Sequence, residues 1–173
     1  MTGYKSISLK DGAQAILKDH DDDASVLALL NVIIQEGNTY PQRDPLDIEG
    51  FRRYWLSDRA YCVWVHDRLV GAFFLRPNHP GRCSHIANGG FIVHPDWRGQ
   101  GLGRLMGEAA LEIAAKLRFQ ALQFNLVFAS NLPSLKLWLS LGFTIIGRIP
   151  QAVALDDGRY EDALLLHRHL DAP

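Results

Sequence analysis

Between Gly89 and Phe119 the hydrophobic period of the chain changes from two to 3.6 across one short turn. The segment GGFIVHPDWRGQGLGRLMGEAALEIAAKLRF starts as an apolar strand, breaks at Pro95 and passes three glycines before a helix takes over. From Leu102 the apolar positions recur at Leu105, Met106, Ala109, Ala110, Ile113, Ala114 and Leu117, one continuous helical stripe. A strand feeding such a helix needs a layered fold, with the stripe buried on a sheet.

The flanking segments supply that sheet. Tyr4 to Leu9 alternates like a strand, and Asp23 is placed to cap a helix carrying Val26, Leu29, Leu30, Ile33 and Ile34 that stops at Gly37. The turn formers of GNTYPQRDP lead into a shorter helix near Asp47 to Ser57, with Phe51, Tyr54 and Trp55 on its apolar side. AYCVWV and LVGAFFL read as a hairpin reversing at Asp67, and HIANGGFIV adds the next arm after the loop PNHPGRCS. ALQFNLV reads as a buried strand, and NLPSLKLWLSL as a helix with Asn131 at its N-cap, Pro133 in its first turn and Gly142 at its end. FTIIGRI and YEDALLLHRHL close the chain as strands joined through DDG. The order β-α-α-β-β-β-α-β-α-β-β predicts one α/β (α+β) domain over residues 1–173. Its expected architecture is a mixed, mostly antiparallel sheet with helices on both faces and a parallel step where a helix joins two strands.

With 18 Lys+Arg against 19 Asp+Glu, the chain has no global field to attract nucleic acid or an anionic membrane. Two cysteines, Cys62 and Cys83, make neither a disulfide framework nor a metal-ligand spacing, and they point to the reduced cytoplasm. The N-terminal residues lack the apolar core of a signal peptide, and no run approaches the roughly 18 apolar residues of a membrane span. A soluble, metal-free protein is expected.

Gly99, Gly101 and Gly103 alternate at the first turn of the most secure helix, where each glycine costs about 1 kcal/mol relative to alanine. A helix start presents unpaired N–H groups and partial positive charge, and bare glycines let a phosphate reach them. Arg98 and Arg104 flank the turn with further charge. A tight connection that needs positive φ explains the glycines equally well, and the turn matches neither a Walker loop nor G-x-G-x-x-G. Gly89 and Gly90 mark either a bulge or a close approach of another backbone-like group. A bulge would splay this strand from ALQFNLV, opening a cleft suited to a long ligand with an amide-rich arm and a pyrophosphate, as in an acyl-coenzyme A.

At RGQGLG, Arg98 to Gly103, the chain resembles the Arg/Gln-x-x-Gly-x-Gly/Ala signature of the GNAT superfamily of acetyl-CoA-dependent N-acetyltransferases. NLPSLKLWLSLGF is similar to that family's asparagine, helix and Gly-Phe ending; the likeness runs from Tyr4 to Leu170 and is sharpest over Gly89 to Phe143. It implies a GNAT fold whose splayed strand pair binds acetyl-CoA as co-substrate. By this resemblance, the backbone of Arg98, Gly99, Gln100, Gly101, Leu102, Gly103 and Arg104 holds the pyrophosphate, and Phe91, Ile92 and Val93 offer main-chain bonds to pantetheine. The N–H of Ile92 or Val93 becomes the candidate oxyanion donor. Asn131, Ser134 and Trp138 fall on the cofactor side. Relatives are often dimers, so a homodimer is an option, although no dimer patch is legible.

Two positions depart from the family. Trp138 stands where many members carry a tyrosine acid, and indole cannot protonate a thiolate at neutral pH. Ser134, water, or release of a free thiolate remain as alternatives. Asn88 stands where some relatives place a glutamate base. A narrower resemblance, in HIANGGFIVHPDWRGQGLG, FNLVFASNLPSLKLW and GRIPQAVALDDGRYEDALLL, is to fungal enzymes that acetylate proline analogues such as azetidine-2-carboxylate, and to their bacterial relatives. It implies substrate-handling roles for Asn88, Asn125 and Asn131, and an acceptor loop EGNTYPQ in which Thr39 and Tyr40 line the substrate side. The plainer alternatives are an N-cap for Asn131, a strand-satisfying amide for Asn88 and an interior polar residue for Asn125. His85 and His94 flank the site strand and are weak candidates for a proton relay. The expected activity is acetylation of a small amine, first a cyclic amino acid, by direct attack and in the service of analogue detoxification. A peptide or protein acceptor, or a non-catalytic acyl-CoA sensor, stands as the alternative.

Overall fold

The two hairpin regions join with their neighbours into one eight-stranded sheet in the computed structural model, which describes residues 5–170. In chain order the elements are β1 (Ser6–Ser8), β2 (Gln14–Asp19), α1 (Asp23–Glu36), α2 (Ile48–Trp55), β3 (Arg59–Val65) and β4 (Arg68–Pro77). There follow β5 (Ile86–Val93), α3 (Leu102–Lys116), β6 (Ala121–Phe128), α4 (Leu132–Ser140), β7 (Thr144–Ala154) and β8 (Tyr160–His169). The strands lie in the order β1-β2-β3-β4-β5-β6-β8-β7, and every neighbouring pair is antiparallel except β5–β6. Tyr4, where the first strand was expected to begin, lies outside the described residues.

One strand escapes the sequence pattern. In β2 Ala15 and Leu17 point into the core while Ile16 is 44% exposed, so an outward isoleucine hides the alternation. The α1 cap is Asp22 rather than Asp23: its carboxylate accepts from the Ser25 N–H at 3.0 Å, and Asp23 is the first helical residue. Among the described residues no helix is long and apolar enough to cross a membrane.

The helices cover both faces. α3 and α4 bury Leu102, Leu105, Met106, Ala109, Leu135 and Trp138 against Phe73, Leu75 and Phe124 on one side. On the other, α1 and α2 bury Leu30, Ile34, Phe51 and Trp55 against Cys62, Ala72, Phe74 and Ile92. Gly107 lets the first pair approach closely, since a Cβ there would lie 2.5 Å from Leu141 and 3.1 Å from Trp138.

What positions the site is the parallel pair. β5 and β6 are in register only at Ile86↔Ala121 and Ala87↔Leu122, and beyond these residues the strands part. The irregularity lies on β6: between Phe124↔Leu166 and Val127↔Leu164 it takes three steps to two on β8, a bulge at Asn125 and Leu126. β4 and β5 stay in unbroken register from Gly71↔Val93 to Pro77↔Ala87. Of the two alternatives for Gly89 and Gly90, the close approach therefore holds and the bulge does not. A Cβ at Gly89 would lie 2.7 Å from the Phe74 carbonyl oxygen, and one at Gly90 would lie 2.5 Å from the Phe74 ring and 2.9 Å from the Tyr40 hydroxyl.

Candidate active site

Two cavities meet where the strands part. A groove of about 640 Å³ runs from the α3 turn along β5 to α4, and a pocket of about 190 Å³ lies beyond it, under the loop that follows α1. Thr39, Phe91, Asn131, Ser134 and Trp138 line both, so any group passed between the cavities passes these five residues. The Thr39 hydroxyl is buried there with no protein partner, a donor and acceptor left for a ligand.

The groove begins at the glycine turn. Gly99 (φ 73°) and Gly101 (φ 90°) both adopt the left-handed conformation, which side chains resist. Gly101 is the N-cap of α3 and supplies no side-chain bond, whereas α1, α2 and α4 are capped by Asp22, Asp47 and Asn131. The first N–H groups of α3 are thus left to an anion. Gly103 answers to packing instead, with a Cβ there meeting Leu137 at 3.0 Å. Arg98 reaches the groove while paired to Glu36 at 2.6 Å. The Arg104 side chain turns to Glu108 and Ser140, and neither it nor Gln100 lines the groove, so only their backbones remain for a phosphate.

Strand polarity decides which main-chain groups face the opening. The His94 N–H donates to Val70 and the Ile86 carbonyl accepts from Asn78, so even-numbered residues of β5 aim at β4. The His85 carbonyl accepts from Gln120 at the start of β6, so odd-numbered residues aim the other way. With the register unbroken, the N–H of Ile92 belongs to the ladder with β4, and those of Phe91 and Val93 face the cleft. Of the two oxyanion candidates, Val93 is the one presented.

On α4 the Asn131 side chain caps the helix by accepting from the Ser134 N–H at 3.2 Å. The Trp138 indole donates to the Ser134 hydroxyl at 2.9 Å, while its ring packs 4.8 Å from Phe91 and 4.5 Å from Phe124. Trp138 therefore fills the apex of the splay and holds Ser134 as an acceptor, leaving the serine's own hydrogen free to donate.

The pocket is lined by Tyr40, Tyr54, Phe74, Arg76, Asn88 and Asn125, among others. The Asn88 Oδ1 accepts from the Gly89 N–H at 2.7 Å. Asn125 is held from both ends, donating to Asn78 at 2.6 Å and accepting from Gln123 at 3.0 Å. The Tyr40 hydroxyl lies 3.5 Å from the Phe91 carbonyl, and burial pushes its pKa well above the ordinary value against the pull of Arg76. No carboxylate or imidazole lines the pocket among the described residues. His85 is exposed and lines neither cavity; His94 is engaged with the Asp96 N–H. Sequence reasoning missed Arg76, Tyr54, Asn78 and Gln123. The signal for Arg76 was a cation ending the apolar run GAFFL, but placing it beside Asn88 requires the β4–β5 register.

Outside the cleft, Cys62, His20 and Asp23 form a line resembling a nucleophile with its base, with 3.5 Å and 2.8 Å contacts. The thiol is buried, and burial pushes it up to about 12, so no thiolate forms there near neutral pH.

The acetyltransferase (GNAT) family profile matches residues 26–143, which include every residue lining the groove and the pocket. The chain belongs to the GNAT family. It is 47% identical over 177 residues to N-acetyltransferase aca1 of Schizosaccharomyces pombe, covering 88% of this chain and 83% of the relative. It is 29% identical over 101 residues to the L-amino acid N-acetyltransferase AaaT of Escherichia coli, covering 58% of this chain and 61% of that protein. The solved GCN5-related N-acetyltransferase of Kribbella flavida superposes with a TM-score of 0.85 at 30% identity, over 90% of this chain and 98% of the other. This GNAT-family chain is an acetyl-CoA-dependent N-acetyltransferase.

Proposed function

We propose that the enzyme acetylates a small amino acid, a cyclic one or a proline analogue first among them, by direct attack of its amine. The observation that carries this is the pocket itself. At about 190 Å³ it is below the roughly 300 Å³ at which sites for drug-sized ligands begin, which suits an acceptor the size of a single small amino acid. The names of aca1 and AaaT point the same way, since one is an N-acetyltransferase and the other acts on L-amino acids. Detoxification of analogues, a single domain over the whole chain, a cytoplasmic location and independence of nucleic acid and membrane belong to the same proposal.

Acetyl-CoA supplies the thioester acetyl group and the thiolate that departs. In our reading the uncapped α3 N-terminus and Arg98 hold its pyrophosphate, while the N–H of Phe91 and the C=O groups of Phe91 and Val93 pair with its pantetheine amides. The Val93 N–H steadies the acyl oxygen as charge gathers on it. Asn88, Asn125 and Thr39 orient the acceptor, which arrives as a neutral amine because the pocket holds no base. The nitrogen forms the new amide bond as the C–S bond breaks, its surplus proton passes to water, and the Ser134 hydroxyl donates to the departing sulfur.

Thiol release from acetyl-CoA, measured over azetidine-2-carboxylate, proline, common amino acids and a short peptide, tests the reading. Turnover should be confined to small amino acids and fall at least tenfold in Asn88→Ala. Preference for the peptide, or acetyl-CoA binding with no thiol release on any acceptor, would overturn it.

A further inference from the structure

Resting on the acetyl-transfer function above, we propose that Arg76 determines acceptor specificity by binding a carboxylate on the substrate. Arg76 is the only charged side chain lining the pocket among the described residues, and no carboxylate lies within 4 Å of it. It is half-buried, and a cation drawn from water without a counter-ion is costly unless something else stabilises it. Part of that comes from the rings beneath it, with the guanidinium carbon 4.8 Å from the Phe74 centroid and 5.5 Å from that of Tyr54.

The hydrogen bonds give the group a direction. Nη1 makes both protein contacts, to the Tyr54 carbonyl at 3.0 Å and the Ser57 hydroxyl at 3.1 Å. Nε and Nη2 make none among the described residues, and together they form the edge of a guanidinium that takes a carboxylate through two parallel bonds. Arg76 is also paired in register with Asn88, so the two side chains project from the same face of the sheet. While its Oδ1 accepts from Gly89, Asn88 has its amide hydrogens to offer, donors of the kind a carboxylate accepts.

This arrangement selects among amines. An α-amino acid brings its negative charge to Arg76; a diamine brings a second positive charge; a peptide N-terminus brings a neutral amide where the carboxylate should be. The free carboxylate therefore separates an amino acid acceptor from a protein one.

The test compares L-azetidine-2-carboxylate with its carboxamide and with unsubstituted azetidine, in wild type, Arg76→Gln and Arg76→Lys, with Arg53→Gln as a surface control. Arg76→Gln should lower kcat/KM for the carboxylate by about 30- to 300-fold, mostly through KM, and change the carboxamide less than threefold. Arg76→Lys should recover part of the loss, and acetyl-CoA affinity should stay at the wild-type value in each variant. Equal losses on all three acceptors, or an undiminished preference for the carboxylate in Arg76→Gln, would overturn the assignment. If the wild type turns over none of them, the proline-analogue acceptor reading fails separately, and calorimetry with L-azetidine-2-carboxylate in the presence of CoA decides about Arg76. Binding that is lost in Arg76→Gln upholds the carboxylate site, and no binding to wild type overturns it.

Discussion

Gly90 shows how one missing side chain shapes a site. Its φ is ordinary, so conformational freedom does not explain it; what matters is the space that the Phe74 ring and the Tyr40 hydroxyl occupy. Phe74 is wedged edge-on against Trp55, 4.9 Å between centroids, and cannot retreat into the α2 layer. Gly90→Ala should therefore push Tyr40 outward and deform the acceptor pocket. Overpacking of this kind costs about 1–3 kcal/mol. The expected outcome is a lower urea midpoint together with an acceptor KM raised at least fivefold and an acetyl-CoA Kd changed less than twofold. Equal weakening of both ligands would show that the glycine serves the strand as a whole. Trp138 argues the same way from the opposite end of the size scale. A tyrosine there would bring a hydroxyl of its own, whereas the indole gives its one donor to Ser134 and leaves the serine's hydrogen free to donate.

Among the elements, α1 leads into the loop that lines the pocket with Thr39, Tyr40 and Pro41, and its two ends are tied differently. At its C-terminus Glu36 pairs with Arg98 of the glycine turn, and in the loop beyond Gly37, Arg43 pairs with Asp156 and donates to the Ala154 carbonyl. The loop is thereby fixed to both the cofactor groove and the β7–β8 hairpin. At the N-terminus Asp22 accepts from the Ser25 hydroxyl at 2.6 Å and from its N–H, and these bonds lower the carboxyl pKa below 3.8. Asp22→Ala should cost about 1 kcal/mol at pH 7. The folded-state pKa is the lower one, so this stabilisation is fully present above the unfolded value and fades as the pH falls through the folded value. Urea melts of wild type and variant should differ at pH 7 and converge well below pH 3.8. A gap of constant size would mean that the carboxylate charge contributes nothing to the cap. The starts of α1, α2 and α4 were legible because each is capped by such local chemistry, Asp47 and Asn131 included, whereas α3, uncapped, was legible from its unbroken apolar stripe. β2 was not, because its outward Ile16 obeys the surface of the sheet and not the alternation of its own sequence.

Across the whole molecule, the groove was more legible than the pocket, for a physical reason. The turn from Arg98 to Arg104 and the α4 cap are contiguous, so their glycines and asparagine can be read in place. The pocket is made of register: Arg76 meets Asn88 across β4–β5, Asn78 meets Asn125 across the splay, and Tyr40 arrives from a loop 51 residues from its contact at Phe91. The opening itself depends on a bulge at Asn125 and Leu126 that appears only when β6 is paired with β8. Among the described residues, the pocket these elements enclose is lined by no side chain that can take a proton near neutral pH, since Tyr40 and Tyr54 are both raised by burial and lie far above it. The pH dependence of catalysis should then belong to the acceptor. With one proton to lose before attack, log kcat/KM should rise with unit slope and level off at the free amine's own pKa. Exchanging the acceptor for one whose amine is about two pKa units less basic should move the break down by the same amount. A break fixed between pH 6 and 7 for every acceptor would instead reveal a base in the protein, and His94, the half-buried histidine next to the cleft strand, would be the first to replace.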